Sequence, residues 1–323
     1  MKSFLRMDGV CFALFLPVLV LFFGCQGESS LNPSAKAPAV PFDSSRAWNH
    51  LLKQVEFGPR PSGSEPLDRT RDWIVQELTS YGLEVKREAF VAQTPGGPIT
   101  MENLYADLKG PAGPGGTPGP MIVLGSHFDT KNLPFRFVGA NDAASSTAVL
   151  IELARVLCLA PEPAVTYRFL FFDGEEAVRL DWVDPDNRYG SKHHVEQLKQ
   201  TRGAIQRIKA MINLDMVGDK DLALENDASS TQQLMRIFLS TAKSIGDEKL
   251  FSKQLYPVED DHEPFIQQGI PAVDLIDLHY GPLANEYWHT AQDTVEHCSQ
   301  ESLDRVGKLV LAALPRVLKQ YVK

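Results

Sequence analysis

The segment Tyr167-Arg168-Phe169-Leu170-Phe171-Phe172-Asp173-Gly174-Glu175-Glu176 places two adjacent glutamates directly after a short, mostly apolar run. A run of this length and composition predicts a buried β-strand. Two neighbouring carboxylates at the end of such a strand repel each other, and burial penalises the charged form of each. A metal ion would offset both costs by binding one glutamate and leaving the other to carry a proton. The segment therefore predicts a buried strand that ends at a metal site.

Other apolar runs in the chain also have the character of strands, and helical patterns lie between them. Two outer segments flank a turn rich in Pro and Gly, which predicts a hairpin at a sheet edge. Alternation of strands and helices predicts an α/β fold with a mixed, mainly parallel central sheet and helices on both faces. We expect strands at 85–91, 104–108, 121–125, 167–172, 210–214 and 272–276, and helices at 44–57, 67–81, 143–159, 230–245 and 302–322.

Polar residues fall at or just after the ends of the predicted strands. In sheets of this kind, ligands bind beyond the carboxyl ends of the strands. The fold would therefore bring these side chains together at one rim of the sheet. They are His127, Asp129, Glu175, Glu176 and Asp215.

Three residues match the ligand set of a catalytic zinc ion. Such an ion is held by three His, Asp or Glu side chains and keeps one open position. Asp142 lies in a glycine- and alanine-rich loop, Glu176 follows a strand, and His289 follows Trp288. Taken singly, an aspartate in a loop usually forms a turn, and a histidine near the C-terminus usually lies on the surface. Together, in this order, they favour a metal site.

Six motifs occur in order along the chain. They are His127-x-Asp129, Gly139-Ala140-Asn141-Asp142, Asp173-Gly174-Glu175-Glu176, Leu214-Asp215, Asp261-His262-x-Pro264-Phe265 with Gly269-Ile270-Pro271, and Trp288-His289-Thr290. This order resembles the zinc-dependent exopeptidases and their relatives, the glutaminyl cyclases. The resemblance extends from Gly58-Pro59-Arg60 to the C-terminal helix. It implies a single catalytic domain with a zinc-exopeptidase-like (phosphorylase/hydrolase-like) fold.

The two branches of this superfamily differ in what the resemblance implies for the metal. An aminopeptidase would hold two zinc ions bridged by Asp142, with His127 and Asp215 on one ion and Glu176 and His289 on the other. A glutaminyl cyclase would hold one Zn²⁺ on Asp142, Glu176 and His289. His127 and Asp215 could bind a second metal ion or take no part in metal binding, and the sequence leaves both possibilities open.

Three features resemble the cyclases more than the aminopeptidases. The chain makes a detour from Ala177 to Trp182 before it reaches Tyr189-Gly190-Ser191, where aminopeptidases continue directly. Asp260 stands where aminopeptidases usually have serine. Trp288 precedes the last histidine and could form one wall of a small substrate pocket with Trp182. A place in the core is the competing interpretation of Trp182.

The resemblance also implies catalytic roles. Glu175 would carry the proton, while Asp215 and Asp260 would form a hydrogen-bonded acidic pair. Asp129 would support His127 from behind, and His262 would orient the acidic loop beside the pocket. The expected enzyme is a glutaminyl-peptide cyclotransferase that converts N-terminal Gln of peptides or proteins to pyroglutamate and releases ammonia. The alternatives are a dizinc aminopeptidase and a binding lipoprotein that has lost the chemistry.

The N-terminal region has the pattern of an export signal. Residues 1–24 have a basic start followed by an apolar run that is short for a membrane span, which predicts a signal peptide. Cys25 would carry a lipid, with ordinary secretion or a retained anchor as the alternatives. Residues 25–42 would be a flexible tether, and 43–323 would be the single α/β catalytic domain. We expect an exported protein of the bacterial periplasm or envelope, bound to a membrane only through Cys25.

Charge and cysteine content set further limits. The formal net charge of −9 offers no basic patch for nucleic acid. The body of the chain carries Cys158 and Cys298, and no essential disulfide is expected because Cys158 lies on a helix-like apolar face.

Overall fold

The computed structural model describes residues 40–283 and 285–322. The predicted signal peptide (1–24) and the predicted lipid site Cys25 lie outside the described residues and stay predictions. No helix within the described ranges combines the length and apolarity needed to cross a bilayer.

Strands and helices alternate along the described chain. The strands are β1 (Val85–Thr94), β2 (Gly97–Leu108), β3 (Met121–His127), β4 (Thr166–Phe172), β5 (Ile208–Asp215), β6 (Leu224–Asp227), β7 (Phe251–Tyr256) and β8 (Ala272–Ile276). The helices are α1 (Ser44–Phe57), α2 (Glu65–Ser80), α3 (Ala144–Cys158), α4 (Tyr189–Gln200), α5 (Ala204–Arg207), α6 (Gln232–Ser244), α7 (Glu263–Ile266) and α8 (Gln300–Tyr321).

Six strands form the central sheet in the order β1-β2-β4-β3-β5-β8. β1 and β2 make an antiparallel hairpin at one edge, and β2 is also antiparallel to β4. β4, β3, β5 and β8 run parallel to one another. β6 and β7 form a separate parallel pair. The predicted α/β fold, with a mixed and mainly parallel sheet and an edge hairpin, is confirmed.

Successive residues of the central strands pack into two different hydrophobic clusters. Ile122 and Phe169 belong to the large cluster that includes α1, α3 and α8. Val123 and Leu170 belong to a second cluster, with Val195 of α4 and neighbouring residues. Side chains alternate across a strand, so helices cover both faces of the sheet. This double burial explains why residues 167–172 are mostly apolar and show no regular alternation with polar residues.

The structure contains elements that the sequence does not predict. In α4 the buried apolar side chains are Val195 and Leu198, while the other buried residues are small or polar. Such a helix has too weak an apolar periodicity to stand out in the sequence. The pair β6 and β7 is short, and most of β7 is exposed.

Cys158 and Cys298 are both free.

The packed part of the chain includes the last residue of the predicted tether. Phe42 is buried with 6% of its surface exposed, one residue before the predicted boundary at 43. Its ring lies against Gly307 of α8, where a Cβ atom would come within 2.3 Å of the ring. Glycine therefore permits a close contact between the start of the domain and its last helix.

His50 of α1 is a buried histidine next to Trp73, with ring centroids 5.6 Å apart. Its Nε2 atom has no hydrogen-bond partner. Burial, with the positive charges of Arg46 and Arg155, lowers the pKa of His50 to about 4. In the unfolded chain the pKa of histidine is roughly 6.5. Between pH 4 and pH 6.5 the unfolded state therefore binds more protons than the folded state. The folded protein loses stability as the pH falls from 6.5 toward 4.

We expect His50→Phe to make the free energy of unfolding less dependent on pH. Between pH 7 and pH 4 the wild type should lose up to about 3 kcal/mol more than the variant, because one pKa unit corresponds to about 1.4 kcal/mol. Urea unfolding at a series of pH values measures this difference. Equal pH slopes for the two proteins would contradict the assignment.

Candidate active site

Parallel strands bring the predicted site residues to one edge of the sheet. β3 ends at His127, which pairs with Phe172 at the end of β4. β5 ends at Asp215, which pairs with Ile276 at the end of β8. The chain continues from Phe172 directly into the turn that carries Glu175. The strand ends therefore place a histidine, an aspartate and the glutamate turn side by side, as predicted.

Two groups of three side chains could each hold a metal ion, and both include Asp142. The first is Asp142, Glu176 and His289, and the second is His127, Asp142 and Asp215. In the first group, His289 Nε2 lies 3.0 Å from Glu176 Oε1 and 3.3 Å from Asp142 Oδ2. In the second, His127 Nε2 lies 3.1 Å from Asp215 Oδ1 and 3.3 Å from Asp142 Oδ1.

The first group fits a zinc ion by the chemistry of its donors. Two carboxylates and one imidazole are a ligand set that zinc prefers at catalytic sites. Glu176 Oε2 is buried and has no hydrogen-bond partner, although Lys131 Nζ lies 3.6 Å away. An unpartnered buried carboxylate oxygen is costly, so a cation bound there would be stabilising. Asp142, Glu176 and His289 would hold the ion.

Asp129 fixes the turn that carries the two glutamates. Its Oδ1 accepts a hydrogen bond from the amide of Glu175 at 3.2 Å, and its Oδ2 accepts one from the amide of Glu176 at 3.3 Å. Asp129 Oδ1 also lies 3.5 Å from His127 Nδ1. Asp129 therefore contacts His127 as predicted, and its hydrogen bonds orient the glutamates.

Burial perturbs the acid–base properties of the site. Burial raises the pKa of Glu175 well above its ordinary value. The charge of His127 lowers this pKa in part, and the charge of Glu176 raises it further. Burial likewise raises the pKa of Asp215 to about 7, although His127 opposes it. Burial lowers the pKa of His289, but Glu176 and Asp142 together raise it to about 10. A divalent cation would shift these carboxyl groups toward the ionised form.

The loop that carries Asp142 is held from two sides. Asp293 accepts hydrogen bonds from the amides of Asn141 at 2.7 Å and Asp142 at 3.1 Å. Arg60 is completely buried and donates from Nη1 to the carbonyl of Val138 and from Nη2 to that of Gly139. These contacts fix the loop before any ligand binds.

A cavity of about 250 Å³ opens onto the first group of metal-ligand candidates. The two tryptophans lie in its wall and are half-buried. Trp288 also stacks on the imidazole of His289, with ring centroids 4.0 Å apart. The predicted site residues that line this one cavity are Asp142, Glu175, Glu176, Trp182, Asp215, Asp260, Trp288 and His289.

The predicted hydrogen-bonded pair of Asp215 and Asp260 is replaced by a different arrangement. In the described structure, Asp215 bonds to His127, and Asp260 Oδ2 accepts from Asn213 Nδ2 at 2.8 Å. Asn213 Nδ2 also reaches Asp274 Oδ1 at 3.2 Å. An amide that donates to both carboxylates is a better partner than a second carboxylate, because like charges repel.

His262 does not line the cavity, which corrects its predicted place in the substrate pocket. Its side chain is fully buried, with Nε2 3.3 Å from Asp227 Oδ2 and Nδ1 4.0 Å from Asp274 Oδ2. Its ring nitrogens face Asp227 and Asp274, neither of which lines the cavity. A sequence motif places such a residue near a site but does not give the direction of its side chain.

Several charged residues around the site have no role in the sequence prediction. Two of them lie close in sequence to a predicted site residue, and this proximity is the signal that could have found them. Asp293 follows His289 by four positions, and Lys131 follows Asp129 by two. Those that support or surround the cavity are Arg60, Lys131, Arg188, Asp261, Asp274 and Asp293, all buried.

Known proteins provide an independent comparison. The sequence profile of peptidase family M28 matches residues 103–314. Mouse (Mus musculus) glutaminyl-peptide cyclotransferase-like protein is 29% identical over 304 residues, which cover 85% of this chain and 76% of the mouse protein. A glutaminyl cyclase from an Acidobacteriales bacterium superposes with a TM-score of 0.81 at 32% identity, covering 90% of this chain and 99% of that one.

A second solved structure gives the same result. Glutaminyl cyclase from Porphyromonas gingivalis superposes with a TM-score of 0.74 at 28% identity and covers 85% of this chain and 98% of that one. The strand-edge geometry, the two groups of candidate metal ligands and these similarities agree with one another. The chain belongs to peptidase family M28 and, within it, to the glutaminyl cyclases.

Proposed function

We propose that the protein is a zinc-dependent glutaminyl-peptide cyclotransferase. It would convert the N-terminal Gln of peptides or proteins to pyroglutamate and release ammonia. The observation that carries the proposal is the composition of one cavity, in which Asp260, Trp182 and Trp288 accompany Glu175 and the candidate metal ligands. The similarity to glutaminyl cyclases supports the same reaction.

In the reaction, the substrate's α-amino nitrogen forms a bond to the γ-carboxamide carbon, and the bond from that carbon to the amide nitrogen breaks. A zinc ion held by Asp142, Glu176 and His289 would polarise the carboxamide oxygen. Glu175 would take a proton from the attacking amine and deliver it to the departing nitrogen, which leaves as ammonia. Glu175 lines the cavity beside the candidate metal ligands, and this position suits both proton transfers.

The walls of the cavity would decide between cyclisation and hydrolysis. Water at the carboxamide carbon would give glutamate, so a cyclase must keep water away from that carbon. Trp182, Val258, Ile276, Leu278 and Trp288 contribute apolar surface around the acidic groups. Asp260, which accepts from Asn213 and lines the cavity, would bind the substrate amine by hydrogen bonding.

A dizinc aminopeptidase is the second candidate, and one observation favours it. His127, Asp142 and Asp215 form a complete second group of potential metal ligands. If that group bound an ion, Glu175 would activate water for peptide hydrolysis. The two functions share their ligand residues, so activity and metal content must be measured together.

We expect the purified, zinc-loaded protein to release ammonia from a Gln-initiated peptide and to form an equal amount of pyroglutamyl peptide. The mature chain should contain one zinc ion per active protein. Ammonia release coupled to glutamate dehydrogenase, mass spectrometry of the peptide and elemental analysis provide the measurements. Hydrolysis of leucine anilide by a protein with two zinc ions would instead identify an aminopeptidase.

We expect Glu175→Gln to lower kcat by about 10²- to 10⁴-fold, because the variant keeps the shape of the side chain and loses the proton carrier. Zinc content should stay the same, since Glu175 is outside the proposed ligand set. The control is His289→Ala, which should lose both zinc and activity. A Glu175→Gln protein with wild-type kcat would refute the role of Glu175.

A further inference from the structure

Arg188 lies directly behind the glutamate turn. Its amide donates to the carbonyl of Glu175 at 2.7 Å, and the next amide, of Tyr189, donates to the carbonyl of Gly174 at 2.7 Å. Arg188 has φ 51°, a left-handed conformation that is uncommon for a residue with a side chain. The backbone at 188 is therefore tied to the turn that carries the proposed proton carrier.

The side chain of Arg188 extends from this point to two other segments of the cavity. One guanidinium nitrogen, Nη1, donates to Glu263 at the start of α7, and the other, Nη2, donates to Asp184 at 3.1 Å. Nη2 also lies 3.9 Å from Glu259. Asp184 belongs to the loop 177–187, which carries Trp182, and Glu259 and Glu263 flank Asp260.

Arg188 thus connects three of the segments that line the cavity. A guanidinium group suits this position and an ammonium group does not, because the two terminal nitrogens Nη1 and Nη2 donate to different segments. The Arg188 side chain is 5% exposed and that of Glu263 is 26% exposed, so the bond between them is less screened by water than an ordinary surface pair. Asp184 and Glu259 are more exposed and contribute less.

The charges around Arg188 show what its absence would do. Asp184, Glu259 and Glu263 all face the guanidinium. Without it, these carboxylates would repel one another across the gap between the two loops. Within the described structure, Lys192 pairs with Asp184 but not with Glu259 or Glu263. The loop with Trp182 would then lose its tie to the loop with Asp260.

We propose that Arg188 is a positioning residue that holds the Trp182 loop against the Asp260 loop and thereby sets the affinity for the substrate's N-terminal residue. The kinetic part of this inference rests on the proposed cyclase function, and the structural part does not. Arg188 is not among the residues that line the cavity, and its contact with Glu175 is a backbone hydrogen bond, which Arg188→Lys keeps. It acts through the two loops that it joins.

The first test uses trypsin, which needs no knowledge of the substrate. Arg179 lies in the 177–187 loop and is exposed. Arg188→Lys keeps the charge and the trypsin site at 188 but loses the fork. We expect cleavage after Arg179 to become at least about tenfold faster in this variant, because a loosened loop opens more often. Mass spectrometry of early fragments identifies the cut.

Arg305→Lys is a matched control. Arg305 makes a two-armed pair with Asp247, with donor distances of 2.8 and 2.9 Å, and neither residue lines the cavity. This variant should show the wild-type rate of cleavage after Arg179. Glu263→Gln removes the negative charge that Arg188 Nη1 bonds to, from the opposite side, and should reproduce the effect of Arg188→Lys. Unchanged cleavage in both Arg188→Lys and Glu263→Gln would overturn the proposal.

The second test is steady-state kinetics with a Gln-initiated peptide. Arg188→Lys should raise KM by about tenfold and leave kcat within about threefold, as expected when a binding wall is loosened. Combining it with Glu263→Gln should add little, because both changes weaken the same contact. A fall in kcat with an unchanged KM would overturn the positioning role. If the wild type releases no ammonia, the cyclase proposal fails, and the trypsin result still decides whether Arg188 holds the loops.

Discussion

The site is governed by the repulsion among carboxylates buried at one edge of the sheet. Burial disfavours the charged form of each, and their proximity disfavours it further. Basic side chains in contact with them are His127, Lys131 and His289. These bases compensate the negative charge of the carboxylates only in part. A divalent cation would therefore remove much of the unfavourable free energy of burying them. The buried carboxylates are Asp142, Glu175, Glu176, Asp215, Asp260, Asp261 and Asp274.

The fold makes this concentration of charge unavoidable. Parallel strands end at the same edge, so residues that directly follow them meet whatever their separation in sequence. His127 and Asp215 end strands, and Glu175 and Glu176 follow one closely. Repulsion is countered locally by hydrogen-bond donors, such as the Asn213 amide between Asp260 and Asp274. The same donors keep the carboxylates in position for catalysis.

The sequence predicts the sheet and the metal-ligand candidates because strong, local patterns encode both. Uninterrupted apolar runs indicate strands buried on two faces, and short motifs after them supply the polar residues. The direction of a side chain within a motif is set by tertiary packing, which is why His262 faces Asp227 and Asp274 and not the pocket. Elements with few apolar residues, such as α4, are not predicted from the sequence for a related reason. Their burial depends on polar contacts made far away in the sequence.

Arg188 is the clearest case of information that the sequence does not carry. Nothing near it in the chain distinguishes it from a surface arginine, since the carboxylates that surround it include Glu259 and Glu263, more than 70 positions away. Its burial becomes evident only when α7 packs beside the 177–187 loop.

This arrangement separates the two parts of the enzyme physically. The metal-ligand candidates are fixed by strand ends and by backbone contacts from Arg60 and Asp293, which change little when a loop moves. Trp182 and Asp260 lie on loops joined through the bonds of one arginine. Loops of this kind can change in length or sequence at little cost to the sheet. A superfamily could therefore keep one set of metal-binding residues and exchange hydrolysis for cyclisation by rebuilding these walls, because the walls determine whether water or the substrate's own amine reaches the carbonyl carbon.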